Sequence, residues 1–411
     1  MMSAHALHLL LQEGTFHAGM RTTIDSVICN GEVIPRFINE FWTSKQRDAH
    51  SIHEISYRAC FKPQLPRFFI ERLTQKSDIV YDPFSGRGTT VIEAGLLKRQ
   101  VIANDINPLS ALLSRPRFFI PDMNELEVRL DSIAKLSLNN QCDIDLDMFY
   151  HPQTLHELLR LREYILRRER EHLLDTTDEW IRMVATNRLT GHSKGFFSVY
   201  TLPPNQAITA DRQKKINMRL QQIPEYRDTH AIIIKKTESL LKKTASEERN
   251  TLRSAGETAR FFACDARYTD CIPDDSVALT VTSPPFLSVI NYASDNWLRC
   301  WFNGLNTEDI AKHITVVKKI TDWSMIMQDV FYELYRVTVP RGWVAFEVGD
   351  VEKGTIRLDE HVVPLGLRAG FQCAGILVNT QEFTKTANIW GVGNNEKGTN
   401  TNRIVLFQKA I

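Results

Sequence analysis

The chain has 411 residues, of which 43% are hydrophobic and 24% are charged, and its formal net charge at pH 7 is +1. These proportions are typical of a globular protein with a sizeable core, and the length suits one catalytic domain with an insertion or a second domain. A nearly neutral chain cannot bind nucleic acid through its overall charge alone, so any such surface must be a local patch.

The seven cysteines are scattered, and none forms the closely spaced pairs of a zinc or redox motif. Their odd number favours free thiols in a reducing compartment, and we expect no metal site. No stretch approaches the roughly 18 apolar residues that a membrane span requires, and no charged segment leads into a secretory apolar run. We therefore expect a cytoplasmic protein that does not cross a membrane.

The first part of a parallel sheet is predicted near the front of the chain. A short apolar run at 79–81 ends at Asp82, a Gly-containing turn follows, and 89–97 has the broad apolar face of a helix. A second apolar run at 101–103 ends at Asp105. Strand, turn, helix and strand in this order predict a βαβ unit with a right-handed crossover.

The pattern then changes to a polar and mostly helical segment. Helices are predicted at 155–174 and 237–253, with irregular loop at 189–207 between them. We interpret 117–257 as an insertion, and 1–50 as an N-terminal extension.

Sheet-like patterns return after the insertion. The two parts 51–116 and 258–411 together form the predicted catalytic domain, an α/β fold with seven strands of the doubly wound type. The later five strands are predicted at 261–264, 277–282, 343–348, 371–378 and 404–407.

A glycine turn, Asp-Pro-Phe-Ser-Gly-Arg-Gly-Thr-Thr at 82–90, lies where the first predicted strand meets its helix. Gly86 and Gly88 allow a tight turn and a close approach of the backbone to a ligand, and the helix N-terminus offers free N–H groups. The turn matches neither the dinucleotide fingerprint nor the P-loop, so those ligands are disfavoured. The alternative is a turn in which the glycines serve packing alone.

Two further acids follow predicted strands. Asp105 can accept hydrogen bonds from the hydroxyls of a ribose, and Asp265 can accept one from an adenine amino group. Acids at several strand ends suit a neutral nucleoside with an attached amino acid, whereas a phosphate would require cations. Either Asp alone could instead be an ordinary helix N-cap.

The tetrapeptide Ser-Pro-Pro-Phe at 283–286 ends another predicted strand, because two prolines cannot continue a sheet. The exocyclic amino group of a base is a poor nucleophile, since its lone pair is delocalised into the ring. Hydrogen bonds to the Ser283 hydroxyl and the Pro284 carbonyl would pull this nitrogen toward tetrahedral geometry, and Phe286 would stack on the base. The alternative is a loop that merely terminates the strand.

The glycine turn followed by Ser-Pro-Pro-Phe resembles the N4-cytosine and N6-adenine DNA methyltransferases, over roughly 51–116 and 261–411. The segment 57–66 is similar to the one that closes over the methionine end of the cofactor in this class. The resemblance implies a Rossmann-like methyltransferase sheet, S-adenosylmethionine as cofactor, no metal, and double-stranded DNA as substrate. It assigns catalysis to Ser283, Pro284, Pro285 and Phe286, and cofactor binding to Phe61, Lys62, Pro63, Asp82, Pro83, Phe84, Ser85, Gly86, Gly88, Thr89, Thr90, Asp105, Ile106, Asp265 and Ala266.

Serine at position 283 resembles the cytosine-N4 subgroup, whereas adenine-N6 enzymes more often have Asp or Asn there. We therefore expect a site-specific cytosine-N4 methyltransferase of a restriction–modification or orphan system, the former with a cognate endonuclease as partner. The alternatives are adenine-N6 methylation, amino methylation of RNA, and a catalytically silent DNA-binding module. Cytosine C5 methylation is disfavoured because it requires a nucleophilic Cys, typically in a Pro-Cys step, which the sequence lacks.

Recognition of the DNA target is predicted in the insertion. The window 181–243 contains twelve lysines and arginines against four acids, a local excess that suits contacts to phosphates. The alternative for any single lysine is a solvated helix face. Candidate DNA contacts are Arg188, His192, Ser193, Lys194, Lys214 and Lys215.

Overall fold

The structure is a computed structural model. It describes the chain except for residues 1, 17–18, 20, 44–48, 58–59, 138–141, 202–207, 286–294, 315–316, 318, 352–355 and 381–400.

The described elements are eleven strands, fourteen α-helices and two short 3₁₀ turns, numbered here in chain order. The strands are β1 Thr23–Cys29, β2 Glu32–Asn39, β3 Ile79–Asp82, β4 Gln100–Asn104, β5 Arg260–Phe262, β6 Val277–Thr282, β7 Thr338–Val348, β8 Asp350–Val351, β9 Ile356–Arg357, β10 Phe371–Thr380 and β11 Thr401–Lys409. The α-helices are α1 Ala4–Glu13, α2 Gln64–Leu73, α3 Thr89–Leu96, α4 Leu109–Ser114, α5 Met123–Ala134, α6 Pro152–Arg170, α7 Thr176–Arg188, α8 Ala210–Leu220, α9 Thr229–Leu241, α10 Ser246–Thr258, α11 Trp297–Phe302, α12 Thr307–His313, α13 Ile320–Val337 and α14 Leu358–Ala369. The 3₁₀ turns lie at Ser51–His53 and Arg115–Phe118.

One mixed sheet of nine strands organises the fold, in the order β1-β2-β10-β11-β7-β6-β3-β4-β5. Strands β7, β6, β3, β4 and β5 are mutually parallel, and β11 lies antiparallel between β7 and β10. The α/β class is therefore confirmed, and strands form at all seven predicted places. A separate ribbon pairs β8 with β9.

The predicted count of seven strands is wrong, because the segment 1–50 adds β1 and β2 to the sheet. These two form a hairpin, and β2 pairs in parallel with β10. The hairpin turn is Asn30-Gly31, and both residues have positive φ, 52° and 85°. Asn-Gly at a two-residue turn is the strongest short-range hairpin signal, so the sequence did contain the information.

Side chains alternate between two cores on opposite faces of the sheet. Val80 and Val101 belong to the larger core, which continues into the helices of 117–257. Tyr81 and Ile102, the next residues along the same strands, belong to a second core beneath α13 and α14. Because parallel strands end at one edge, the segments that follow β3, β4, β5 and β6 meet there.

The described part of 117–257 contains helices α5 to α10, as its polar composition predicts. Helix α7 contributes the fully buried Trp180, whose indole donates a hydrogen bond to Thr237 on α9 over 3.0 Å. Buried Asp178 pairs with Arg129 and with Arg168, which tie α7 to α5 and α6. The division of the chain at 117 and 257 stays a prediction.

Across the helices that the structure describes, none is long and apolar enough to cross a membrane.

Candidate active site

A cleft opens at the edge where β3, β4, β5 and β6 end. Its empty volume, open mouth included, is about 1200 Å³. Thirteen residues of the predicted site line it: Phe61, Asp82, Pro83, Phe84, Ser85, Gly86, Thr89, Asp105, Ile106, Asp265, Ala266, Ser283 and Pro285.

The glycine turn forms one wall of the cleft. Gly86 and Gly88 both have positive φ, 52° and 78°, a backbone conformation that favours glycine. A Cβ atom at Gly88 would lie 2.5 Å from the Cβ of Ser114, whereas one at Gly86 would meet nothing closer than 3.6 Å. Gly88 is therefore required for packing at the start of α3, and Gly86 is the glycine that borders the cleft.

Asp82 joins the glycine turn to the Ser-Pro-Pro corner at 283–285. Its carboxylate is 1% exposed and accepts a hydrogen bond of 2.6 Å from the hydroxyl of Thr282, the residue before Ser283. The Phe84 backbone N–H donates to the same oxygen over 3.2 Å. Burial raises the pKa of Asp82 to about 7, against these hydrogen bonds, which favour the charged form. Two segments 200 residues apart in sequence are thus held together at the cleft.

Asp105 lies across the turn from Asp82. Its two carboxylate oxygens accept hydrogen bonds from the backbone N–H groups of Gly86 and Asn107, over 2.8 and 2.9 Å. Burial raises the pKa of Asp105 to about 6, and the two hydrogen bonds lower it. The carboxylate is therefore anchored by the turn and retains lone pairs for further donors, as binding to hydroxyl groups requires.

The carboxylate of Asp265 already has a charged partner within the chain. Arg267 donates to both of its oxygens, with the shortest contact 2.6 Å from Nη2 to Oδ2. The same guanidinium holds the pKa of Asp265 below its usual value. A ligand that bonds to Asp265 would have to share the carboxylate with Arg267, which the sequence analysis did not anticipate.

The Ser-Pro-Pro corner at 283–285 lies in the same cleft as the glycine turn. Ser283 and Pro285 both line it. The indole N–H of Trp323, on α13, donates a hydrogen bond of 3.0 Å to the Pro285 carbonyl and so fixes the backbone after the two prolines. Phe286 lies outside the described residues.

Glu347, near the end of β7, contacts the candidate site through Ser283 and was not predicted from the sequence. It is 7% exposed, hydrogen-bonds to the side chain of Ser283, and accepts a hydrogen bond of 3.0 Å from the side-chain amide of Asn402. Burial raises its pKa, against these two hydrogen bonds. An acid within the apolar run at 343–348 was the available signal, because buried carboxylates are rare without a specific partner.

Five described residues of the predicted site lie off the cleft. Lys62 and Pro63 line a smaller cavity beside Arg87. Thr90 donates to the Val281 carbonyl over 3.0 Å. Gly88 faces Ser114, and Pro284 does not border the cleft.

Two buried polar atoms make the cleft suitable for a polar ligand. Ser85 is 5% exposed and Asn107 2% exposed, and among the described residues neither the Ser85 hydroxyl oxygen nor the Asn107 amide nitrogen has a hydrogen-bond partner. Buried polar atoms are nearly always bonded, so these two are available to a ligand in the cleft. Among the described lining residues the cations are Arg267, already paired, and His313 if protonated. This donor set fits a nucleoside with an attached amino acid better than a phosphate.

The predicted DNA contacts fall into a buried and an exposed group. Arg188 is the last residue of α7, 8% exposed, with its guanidinium 4.0 Å above the Phe196 ring. His192, Ser193 and Lys194 are exposed at the tip of the following loop, and Lys214 and Lys215 are exposed on α8. Among the described residues, no group of three or more His, Cys, Asp or Glu side chains is placed to hold a metal ion.

A family model described as DNA methylase, of the N6 and N4 type, matches residues 31–111. The type II methyltransferase M.MjaII of Methanocaldococcus jannaschii is 32% identical over 92 residues, which is 22% of this chain and 17% of that protein. M.BsoBI of Geobacillus stearothermophilus is 31% identical over 109 residues, 26% of this chain and 21% of that protein. The matched part of the chain thus spans about a fifth of the length of these relatives.

Solved structures give weaker likenesses. The rRNA methyltransferase aviRa of Streptomyces viridochromogenes is 9% identical, with 87% of this chain and 89% of that one covered and a TM-score of 0.34. A SAM-dependent methyltransferase from Methanosarcina mazei is 10% identical, with 84% and 97% covered and a TM-score of 0.32. Scores this low carry no argument. The family model and the curated relatives, by contrast, confirm the predicted resemblance of this chain to the amino-methylating DNA methyltransferases, with the N4 and N6 subgroups unresolved.

Proposed function

We propose that the chain is a DNA methyltransferase that transfers a methyl group from S-adenosylmethionine to the exocyclic amino group of a base, with N4 of cytosine favoured. One observation carries the proposal: the glycine turn at Gly86 and the corner at Ser283 border the same cleft. A donor on one wall and a nucleobase on the other would then lie within reach of each other.

The cofactor would be held by side chains from three strand ends. Asp105 would accept hydrogen bonds from the ribose hydroxyls, and Asp265 would accept one from the adenine amino group while still paired with Arg267. The unpaired polar atoms of Ser85 and Asn107 would bond to the polar groups of the same ligand. When bound, S-adenosylmethionine supplies an electrophilic methyl group on a sulfonium centre.

The Ser283–Glu347 pair would activate the amino group. With the Ser283 hydroxyl donating to the Glu347 carboxylate, the Ser283 oxygen would keep lone pairs that can accept a hydrogen bond from the base. That bond draws the nitrogen lone pair out of conjugation with the ring. After transfer, the surplus proton on the nitrogen can pass to the Ser283 oxygen while the Ser283 proton moves to Glu347, whose raised pKa suits this role.

Duplex DNA would dock on the insertion, with the target base extruded into the cleft. The exposed surface of α8 presents Arg212, Lys214, Lys215 and Arg219 to solvent. Tyr200, which follows this loop in the chain, is bonded to the α8 region: its carbonyl accepts from the side chains of Gln213 on α8 and of Gln222 just after it, over 3.0 and 2.9 Å. The basic helix would contact phosphates, and the exposed polar loop tip at 192–195 would read bases.

A nucleoside digest tests the proposal. The protein is incubated with methyl-labelled S-adenosylmethionine and unmethylated mixed-sequence DNA, and in parallel with RNA, and each product is digested to nucleosides. We expect label in N4-methylcytosine of the DNA. Label in N6-methyladenine would move the chain to the alternative subgroup, and label in 5-methylcytosine, or in RNA alone, would overturn the proposal. A restriction–modification role would further require a partner endonuclease that cleaves the unmethylated sequence.

A further inference from the structure

Three largely buried cations lie on α7 and on two helices that pack against it, α9 and α11. The charge of Arg299 acts on Arg188, and the charge of Arg188 acts on Lys236. Arg188 ends α7, Lys236 lies on α9 and Arg299 lies on α11. Arg188 and Arg299 are each 8% exposed, and the Lys236 side chain is 10% exposed. We refer to Arg188, Lys236 and Arg299 as the cationic cluster.

The two arginines of the cluster bond mainly to neutral groups. Arg188 donates to the side-chain oxygen and the carbonyl of Asn187, over 2.5 and 3.1 Å. Arg299 donates to the Asn296 side chain and the Ser56 carbonyl, over 2.9 and 3.0 Å. Neither arginine has an ion pair of 4 Å or less with an acid among the described residues.

Among the described residues, the acids near the cluster supply one ion pair for three cations. Glu54 pairs with Lys236 over 3.4 Å, and the charge of Asp295 acts on Arg299. Burial and the charge of Arg188 together lower the pKa of Lys236 to about 8. Holding several like charges out of water is costly, and a bound anion would offset that cost.

The cluster adjoins the cleft through Ser56 and Tyr57. Asn187, which holds Arg188, also donates to the Ser56 carbonyl over 3.0 Å, so the insertion and α11 hold the same peptide group. Tyr57, the next residue, lines the cleft, and the Arg299 guanidinium lies 5.7 Å from its ring. An anion on the cluster would therefore lie at the side of the cleft that faces the insertion.

We propose that the cationic cluster binds a phosphate group of the DNA backbone beside the extruded base. This inference rests on the proposed function, because that function supplies the polyanion. Arginine pairs readily with phosphate, and lysine adds a point charge. Arg188 and Arg299 are each 8% exposed and the Lys236 side chain 10%, and a phosphate oxygen would reach the cluster through this exposed part. Such a contact would hold the nucleotide by its backbone, whatever the base.

Adjacent lysines on α9 provide a matched test. Lys236 faces the cluster, whereas Lys235 is exposed and lines a separate acidic groove. The dependence of log(kcat/KM) on log salt is measured for methylation of unmethylated genomic DNA by the wild type, Lys236→Gln and Lys235→Gln. Loss of one phosphate contact should reduce the slope by about 0.9 in Lys236→Gln, whereas Lys235→Gln should keep the wild-type slope. S-adenosylmethionine affinity should be equal in all three proteins.

Equal slopes for the two variants would overturn the inference. The same holds for a lowered melting temperature of Lys236→Gln with an unchanged slope, since the cluster would then serve folding alone. Arg188→Gln provides a second test from another helix and should also reduce the slope. A wild type that methylates no DNA would instead refute the proposed function itself, independently of either variant.

Discussion

Side chains are positioned by different features at the edge of the sheet and on the surface of the predicted insertion. At the sheet edge, Asp82, Asp105 and Ser283 are fixed by strand ends and by the hydrogen bonds that follow them. On the insertion, the position of a cation depends on which face of a helix it occupies. Adjacent Lys235 and Lys236 show this, because one is exposed and the other lies in the cationic cluster.

The difference means that the two regions should fail differently when they are altered. Changes to Ser283, Glu347 or Gly86 at the sheet edge should reduce turnover or cofactor binding and leave DNA affinity intact. Changes on the insertion should alter the affinity for DNA and its salt dependence, with cofactor binding intact. A sheet-edge variant that changed DNA affinity, or an insertion variant that changed cofactor binding, would show that the two regions are energetically coupled.

Ser283→Ala should have the largest effect on activity. It removes the acceptor proposed for the base amino group, and loss of one such preorganised contact typically costs about 10²- to 10³-fold in kcat. Single-turnover methylation with saturating DNA measures the change, and isothermal titration should give an unaltered affinity for S-adenosylmethionine. Full activity in this variant would remove Ser283 from the mechanism.

The two glycines of the turn should separate stability from ligand binding. Gly88→Ala adds a Cβ 2.5 Å from Ser114 at positive φ, so the free energy of unfolding should fall by about 3 kcal/mol. Gly86→Ala has space for its Cβ and bears only the backbone penalty, about 1 kcal/mol. Urea denaturation measures both, and the control is cofactor affinity, which we expect to weaken in Gly86→Ala. Equal destabilisation by the two variants would contradict the packing argument.

Glu347→Gln should lower kcat about 10- to 100-fold with KM for DNA unchanged. The amide keeps the size of the side chain but cannot hold the proton released by the base. Its effect should largely vanish in a Ser283→Ala background, since the two residues act as a pair. Additive losses in the double variant would show that Glu347 acts independently of Ser283.

Much of the candidate site could be predicted from the sequence because its residues occupy backbone-defined positions. A strand that ends in Asp, a glycine turn and a double proline each dictate where the chain bends. What the sequence could not reveal were contacts between distant segments, such as Thr282 with Asp82 and Trp323 with Pro285. The hairpin of β1 and β2 was a different case, since its Asn-Gly turn was visible and overlooked.

The helices of the insertion could be predicted from the sequence, but the exposure of their side chains could not. Its composition indicated both the helices and the excess of cations. Burial of Arg188 on Phe196 depends on tertiary packing that no periodicity in the sequence indicates. The seven predicted strands likewise fixed the central sheet but not the two strands added at its edge.

Removing the exposed lysines of α8 tests whether this helix of the insertion binds DNA. Lys214→Gln combined with Lys215→Gln should reduce the salt slope of DNA binding by about 2, with cofactor affinity unchanged. Lys214 pairs with Asp145 over 3.2 Å at the surface, which contributes little to stability, so the fold should tolerate the change. Fluorescence anisotropy with a labelled duplex measures the slope, and exposed Lys76→Gln is the control outside the insertion. A slope equal to the wild type would place the DNA elsewhere.

Asp82→Asn should have the smallest effect, visible only as a pH dependence of stability. The folded pKa of about 7 exceeds the ordinary 3.8, so the folded state binds this proton more tightly than the unfolded state does. The contribution of Asp82 to stability is therefore fully present below about pH 4 and is lost as pH rises toward 7. Asparagine keeps an acceptor for Thr282 and cannot ionise. Between pH 6 and pH 7, the free energy of unfolding of the wild type should therefore fall by about 1 kcal/mol relative to that of the variant. Chemical denaturation at each pH measures this difference. A difference that stayed constant with pH would mean that Asp82 is ionised throughout, held charged by Thr282 and the turn despite its burial.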